Sequence, residues 1–370
     1  MKKIAAALAC LGVLTACTAE PRATPPPPGP MLEEFTLSQR WEQVKIDATA
    51  GTALVDMTAT GPRDAWAVGL YASAEDEPGY FVLKHWDGSR WRAVSALRRF
   101  TDEEFSSGAA VDADGPRNVW VAGDDENGPC TLQWNGRRWL ERRVPGDGWV
   151  DDIAVDGKRV VLIGARSRAE GTVPYTSSWD GSRFVNETFE GKFTAVVAGA
   201  GHTWIAGEHA NLPAVWHRPP GGRLERMAVP AVPGGSLADI WQNGPDDVLA
   251  VGTIAGPKDE NATYGARPLI LRWDGTAWRR TELPDWHGEL QAVTALGKDD
   301  VWAAGVDVEL QPGRVMMLHY DGRSWTREFL RSAGMVNKLS LTRVPGTSQL
   351  WLTDAREVGE GDEPVVFRRP

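Results

Sequence analysis

VLKHWDGSRWRAV, residues 82–94, decides how this chain folds. An apolar run closes on Trp86, Asp87-Gly88 follows, and a second run opens at Trp91. Asp-Gly between two such runs is among the strongest short-range hairpin signals, because both residues tolerate the positive φ of a tight turn. Taken alone, the stretch also admits a catalytic acid or an aromatic ligand-binding pair. Recurrence separates these readings: TLQWNGRRW (131–139), YTSSWDGSRF (175–184), LILRWDGTAW (269–278) and MMLHYDGRSW (316–325) repeat the pattern. A bend used five times is a building unit.

A second recurring word is a short apolar strand ending in glycine. It reads AWAVG (65–69), VWVAG (119–123), VVLIG (160–164), TWIAG (203–207), VLAVG (248–252) and VWAAG (301–305), with LWLTD (350–354) a seventh in which Asp354 replaces glycine. The closing residues are spaced by 54, 41, 43, 45, 53 and 49 positions, the roughly 40–50-residue period of four-stranded propeller blades. In each unit a first strand, a Gly/Pro/Asp turn and the glycine-ended strand precede the aromatic hairpin. Blade 4 departs from the pattern, since HRPPGGRL follows Trp216. The seventh unit supplies three strands before the chain ends. SQRWEQV (38–44) matches GSRWRAV (88–94) at Arg, Trp and Val, so the N-terminal segment completes the last blade and leaves no open sheet at the seam. The expected fold class is all-β: a seven-bladed β-propeller over residues 35–370, closed by its N-terminal strand.

On these words the chain resembles exported β-propeller proteins of actinobacteria, loosely grouped with kelch-like and galactose-oxidase-like repeats in which WDGxxW is common. The hairpin is also similar to the Asp-box turn of sialidase-type propellers, although Asp87 to Trp91 is one residue shorter than that spacing. A galactose-oxidase likeness would imply copper, histidine ligands and a Tyr–Cys cross-link. Cys130 is the only thiol available for one, and the six histidines form no ligand-spaced cluster. A sialidase likeness would imply a Phe/Tyr-Arg-Ile-Pro segment, which is absent. Propellers host many unrelated functions, so the resemblance speaks to fold.

The first residues give an address. Lys2-Lys3 precede an apolar run, Ile4–Leu14, and the run leads into Leu14-Thr15-Ala16-Cys17, which resembles the lipobox of bacterial lipoproteins. The resemblance implies a signal peptide over 1–16, cleavage before Cys17 and lipidation of its thiol. Two or more acyl chains anchor stably, at about 0.8 kcal/mol per buried methylene. Residues 17–34 contain four consecutive prolines and read as an extended tether. The expected location is the outer face of the cytoplasmic membrane. Without Lys2 and Lys3 the chain keeps 38 basic against 50 acidic residues, a formal charge of −12, which argues against nucleic acid as a partner and leaves the lipid anchor as the only membrane contact. Arginine outnumbers lysine 31 to 9, in keeping with a high-GC bacterial source. A monomer is expected.

Chemistry is harder to find. There is no HExxH, P-loop, Rossmann glycine pattern or GxSxG, and no catalytic residue or metal ligand is assigned. His85 and His319 share one blade slot with Gln133, Ser178, Val215 and Arg272, a tolerance that points to a strand surface position. Acidic loops (Glu75–Glu77, Asp124–Glu126, Asp259-Glu260, Asp307 with Glu309) lie on the face of the blade-to-blade connections. None has EF-hand spacing, so no cofactor is expected and calcium stays open only as a loosely held cation. Aligning the blades on their turns puts Asp56, Asp151 and Asp239 in one slot of the innermost strands of blades 1, 3 and 5, with Ala110, Thr194 and Ala292 in the others. Three carboxylates there could converge on a cation or a sugar hydroxyl, or each could accept neighbouring backbone amides. Trp149 and Trp286 stand outside the repeat words, in blade-to-blade loops, where an aromatic stacks on a sugar or partner or plugs the gap between blades. The reading that follows is a binding or scaffold module for a protein or glycan ligand. Its alternatives are a carbohydrate-active hydrolase or lyase using acidic residues at the channel mouth, and an accessory factor in envelope-complex assembly.

Overall fold

Blade 1 shows how the words become structure. Thr52–Gly61, Asp64–Tyr71, Gly79–Trp86 and Trp91–Ala93 pair antiparallel in sequence order, with Trp86 opposite Trp91 across the Asp87-Gly88 turn. A two-residue strand, Thr101–Asp102, adds to Gly79–Tyr80. The computed structural model describes residues 37–46, 51–71, 79–95, 101–102, 109–125, 127–169, 171–256, 265–307, 309, 314–330, 335–358 and 361–370. The proposed signal peptide, the tether and Cys17 lie outside these residues, as do Glu75–Glu77 and Asp259-Glu260.

Seven four-stranded antiparallel sheets follow one another around a ring, each consecutive pair joined by contacts between innermost strands. Those innermost strands are Thr52–Gly61, Ala110–Ala113, Trp149–Asp156, Lys192–Gly199, Gly235–Gly244, Glu289–Gly297 and Met335–Arg343. The irregular outer hairpin of blade 4 is present as expected, its last strand reduced to Glu225–Arg226. Closure is also as expected. Glu42–Val44 pairs with Gly361–Arg369 as the outer strand of blade 7, Glu42 opposite Arg368 and Val44 opposite Val366. The preceding residues reach blade 6, where the Ser38 amide donates to the Phe329 carbonyl at 2.8 Å. Trp41 is buried between the two blades, 6.1 Å from Trp302, and its Nε1 donates to Glu328 Oε1 at 3.1 Å.

The glycine that ends the second-strand word has a steric cause. Most innermost strands carry a β-bulge beside it, between Leu54 and Asp56 in blade 1 and between Leu237 and Asp239 in blade 5. The bulge pushes a carbonyl at the neighbouring strand, and a Cβ on Gly69 or Gly252 would stand 2.0 Å from the oxygen of Ala53 or Ser236. In blade 7 the bulge sits between Val336 and Lys338, so Asp354 faces Leu339 in regular pairing and the position tolerates a side chain.

The tryptophan words interlock. The second-strand Trp of one blade packs on the fourth-strand aromatic of the next: Trp66 on Trp139 at 5.6 Å, Trp204 on Trp278 at 5.9 Å and, across the seam, Trp351 on Trp91 at 5.5 Å. Trp120 meets Phe184 likewise at 6.2 Å. Such pairs each contribute about 0.5–1.5 kcal/mol beyond the area they bury. The Asp-Gly turns between them are closed by their own carboxylates: Asp87 Oδ1 accepts the amides of Ser89 (2.9 Å) and Arg90 (3.1 Å) and the Ser89 hydroxyl, and Oδ2 accepts Arg92 Nε. The opening stretch is therefore a hairpin that also mates with the neighbouring blade.

Candidate functional site

The seven innermost strands enclose a channel cavity of about 390 Å³, within the range of small-molecule sites. Five aspartates stand in its wall, and four are committed to the blades themselves. Asp56 Oδ1 accepts the Met57 amide and Oδ2 the Val111 amide of blade 2, both at 2.8 Å. Asp239 accepts Ile240 and, from blade 6, Val293, both at 2.7 Å. The same bridge joins blades 3 and 4, but Asp152 makes it, accepting Ile153 at 2.7 Å and Val196 at 2.8 Å.

This corrects the register read from the sequence. Asp152, not Asp151, shares the slot of Asp56 and Asp239, and Ala195, not Thr194, fills it in blade 4. Blades 1, 5 and 6 have a second bulge where the first strand enters its turn (Ala59/Gly61, Gln242/Gly244, Ala295/Gly297), whereas blades 3 and 4 turn without one. Counting back from the turns therefore goes one residue too far in those two blades. Asp151 is the bulge residue itself.

A second carboxylate lay unnoticed in the sequence. Blade 2 has Ala110 in the slot, and Asp112, one rung further along, accepts Ala113 at 2.8 Å and Val155 of blade 3 at 2.7 Å. The remaining junctions use other groups. Gln242 Nε2 donates to Gly199 O at 3.3 Å, Gln291 Oε1 accepts Leu339 N–H at 3.0 Å, and Ser340 Oγ accepts Met57 N–H at 3.2 Å while donating to Asp56 Oδ1 at 2.9 Å. Each of the seven junctions is thus bridged by a side chain near the channel.

Burial dominates the electrostatics. Removal from bulk water raises the Asp112 and Asp239 carboxyls to about 7, the hydrogen bonds from Val155 and Val293 only partly offsetting it. Asp56 is raised for the same reason, and Asp152 well above the usual range by burial and by the charges of Asp56 and Asp239.

Asp151 differs. Its Oδ1 accepts Trp149 Nε1 at 3.1 Å, and among the described residues its Oδ2 meets no donor. Burial raises it to about 6, opposed by that bond and by Lys338 and Lys192. The exposed Lys338 lines the same cavity and draws down Asp56 and Asp239 as well. Of the predicted site residues, Asp56, Asp151 and Asp239 therefore share the channel wall, with Trp149 behind Asp151. Trp286 does not line the cavity: it is half-buried, with the Arg327 guanidinium 5.4 Å from its ring centroid.

The histidine slot is a packed rung inside the blade rather than an open surface position. His85 stacks on Trp66 at 4.0 Å and meets Asp64 at 2.6 Å; His319 stacks on Trp302 at 3.9 Å and meets Asp300 at 3.0 Å. In blade 4, His217 stacks on Trp204 and meets His202 at 2.8 Å, and burial followed by that neighbour pushes it down to about 4. Arg272 with Asp247 fills the same rung in blade 5. The slot tolerates several residues because each finds a polar partner two positions before the residue it faces across the strands: Asp64, His202, Asp247 or Asp300. Cys130 is buried, which raises its thiol pKa far from reactivity. Among the described residues no group of three or more His, Cys, Asp or Glu is arranged to hold a metal ion.

No protein-family model and no curated protein sequence matches the chain. Solved structures do. The sialidase of Trypanosoma rangeli in complex with sialic acid is similar with a TM-score of 0.51 and 12% identity, over 90% of this chain and 59% of that one. The acylaminoacyl peptidase of Pyrococcus horikoshii gives 0.55 and 14%, over 86% and 52%. This chain thus spans little more than half the length of either enzyme. The β-propeller domain of the Trilobed protease from Pyrococcus furiosus gives 0.54 and 10%, over 86% of this chain and 94% of that domain, which has an open velcro topology where the present ring is closed by Glu42–Val44. At such identities the likeness extends to the fold, and on its sheet topology the chain is a seven-bladed β-propeller.

Proposed function

We propose that the chain is an exported lipoprotein, anchored through Cys17 to the outer face of the cytoplasmic membrane, whose propeller binds a glycan or protein ligand at the Asp151 end of its channel. One observation carries the reading: among the described residues Asp151 Oδ2 is the channel carboxylate oxygen left without a donor, whereas Asp56, Asp112, Asp152 and Asp239 have both oxygens engaged by backbone amides. Lys338 places a cation in the same wall. A free acceptor and a free donor suit hydroxyl and amide groups of a ligand. Hydrolysis of a glycoside ordinarily requires two free carboxylates, so binding without turnover is the better fit. The carbohydrate-active alternative draws on the same residue, since a carboxyl raised to about 6 suits a general acid.

A glycan array probed with the full-length protein and with Asp151→Asn separates these. Retention of a discrete glycan set, recovered uncleaved and lost in the variant, is the expected outcome. Cleavage of the retained glycan would install the enzymatic reading, and retention unchanged in Asp151→Asn would remove Asp151 from the site. The anchor is tested by mass spectrometry of the mature protein: a diacylglyceryl adduct on Cys17 is expected, and an unmodified N-terminus sinks it.

A further inference from the structure

The other end of the channel carries a charge that no counter-charge among the described residues answers. Counting from the Asp56 slot, the position two residues on is small or polar around most of the ring, as at Thr58, Ala154, Thr294 and Thr342, but is Trp241 in blade 5. The position three residues on is Ala59, Ala113, Val155, Ala198 and Ala295 in five blades, but Arg343 in blade 7. The direction of these side chains follows from the bridges they make. Thr58, at the first position, reaches forward to Asp112 of the next blade at 3.3 Å; Gln242, at the second, reaches back to Gly199 of the preceding blade. Trp241 reaching forward from blade 5 and Arg343 reaching back from blade 7 meet over blade 6, the guanidinium 5.2 Å from the indole centroid. Both line the channel cavity.

We propose that this turn-side end of the channel is a second binding site, specific for the carboxylate of a small ligand, with Arg343 as the anion partner and Trp241 as the wall beside it. Among the described residues no acceptor meets the Arg343 guanidinium, which lies over the Trp241 ring, and its donors remain free for a planar oxyanion. Burial alone pulls its pKa below the ordinary arginine value, with no carboxylate to offset it. A half-buried cation without a counter-charge is unfavourable, and an anion entering from solvent relieves it. One cation matches one negative charge. A dianion would bring a second charge into a cavity already lined by four engaged aspartates, which selects carboxylate over phosphate or sulfate. At the Asp151 end, toward the blade-to-blade connections, Lys338 already has the Asp56, Asp151 and Asp239 carboxyls about it, so this site stands apart from that one.

The test is NMR titration of the full-length protein, following the indole signal of Trp241 and the side-chain Nε signal of Arg343, assigned with Trp241→Phe and Arg343→Gln. Glucuronate is the probe, glucose its uncharged counterpart and sulfate the competing dianion. Saturable shifts of both signals with glucuronate, none with glucose and weaker binding of sulfate are expected. Arg343→Gln should weaken glucuronate about tenfold or more, the scale of a charge-assisted hydrogen-bond pair, and Arg343→Lys should recover part of it. If the Gln variant unfolds, the wild-type titration decides alone. Absence of saturable shifts with glucuronate, equal shifts with glucose, or sulfate binding as tightly as glucuronate overturns the assignment.

Discussion

Asp274, at the tip of the outer hairpin of blade 5, and Asp239, in the innermost strand of the same blade, each accept two backbone amides. Asp274 takes those of Thr276 and Ala277, both at 2.9 Å, and adds Arg279 Nε at 2.8 Å; its carboxyl is held well below the usual range. Asp239 takes Ile240 and Val293, and its carboxyl is pushed up to about 7. Bond count separates them in part, since Asp274 also accepts the Thr276 hydroxyl at 2.6 Å and the Arg279 donor lowers it further. Water does the rest: the hairpin tip remains solvated in its charged form, and burial of the channel wall outweighs the two amides that Asp239 accepts. One residue type thus closes turns at the rim, where its charge is cheap to keep, and joins blades at the centre, where it titrates near neutrality.

The largest expected effect comes from breaking the ring that makes the centre a centre. Removing residues 37–46 strips Glu42–Val44 from blade 7 and Trp41 from its pocket. Loss of a buried Trp alone costs about 3–5 kcal/mol, so denaturant unfolding of the shortened chain should show a loss of at least that size. Stability equal to wild type would contradict the closure.

Acidity should act on the two regions in opposite directions. Asp112 and Asp239 rise from 3.8 to about 7 on folding, so the native state holds protons that the unfolded chain has released. Their contribution is full below pH 3.8 and is lost as pH rises through 7. The rim aspartates run the other way: Asp180, lowered to about 2 by the amides of Arg183 and Ser182 and the Ser182 hydroxyl, favours folding above pH 3.8 and loses that contribution as pH falls toward 2. The thermal midpoint should therefore peak between these limits and decline from pH 6 to 8. A midpoint that rises over that interval would mean the channel carboxylates are not desolvated.

The smallest effect belongs to the rim. Blade 2 already closes its turn with Asn135, whose Oδ1 accepts the amides of Arg137 and Arg138, both at 3.0 Å. Asp274→Asn should leave the thermal midpoint unchanged within error, and a clear loss would show that the Arg279 ion pair, rather than the turn geometry, holds the hairpin.

These contrasts also explain what could be read without coordinates. The ring was legible because its words are forced: the glycines by a carbonyl at van der Waals-forbidden distance, the tryptophans by their mates in the next blade. Closure was legible because Trp41 had to fill the same place as Trp91. The channel was read less well. A bulge is one extra residue with no compositional mark, so the repeat words alone place Asp151 in the slot that Asp152 holds. Asp112 escaped because its bridge is moved one rung along. Trp241 and Arg343 escaped because their significance lies in meeting across an intervening blade, which strand periodicity cannot express.

Consecutive residues allow the sharpest test of the division between structural and available carboxylates. Thermal unfolding of Asp151→Ala and Asp152→Ala should be measured side by side. Asp152→Ala leaves the amides of Ile153 and Val196 without their acceptor, a loss of about 1–3 kcal/mol for each buried group, and should lower the midpoint by several degrees. Asp151→Ala releases only Trp149 Nε1 and should leave the midpoint within about 2 °C of wild type. Equal losses, or a larger loss at Asp151, would contradict the account.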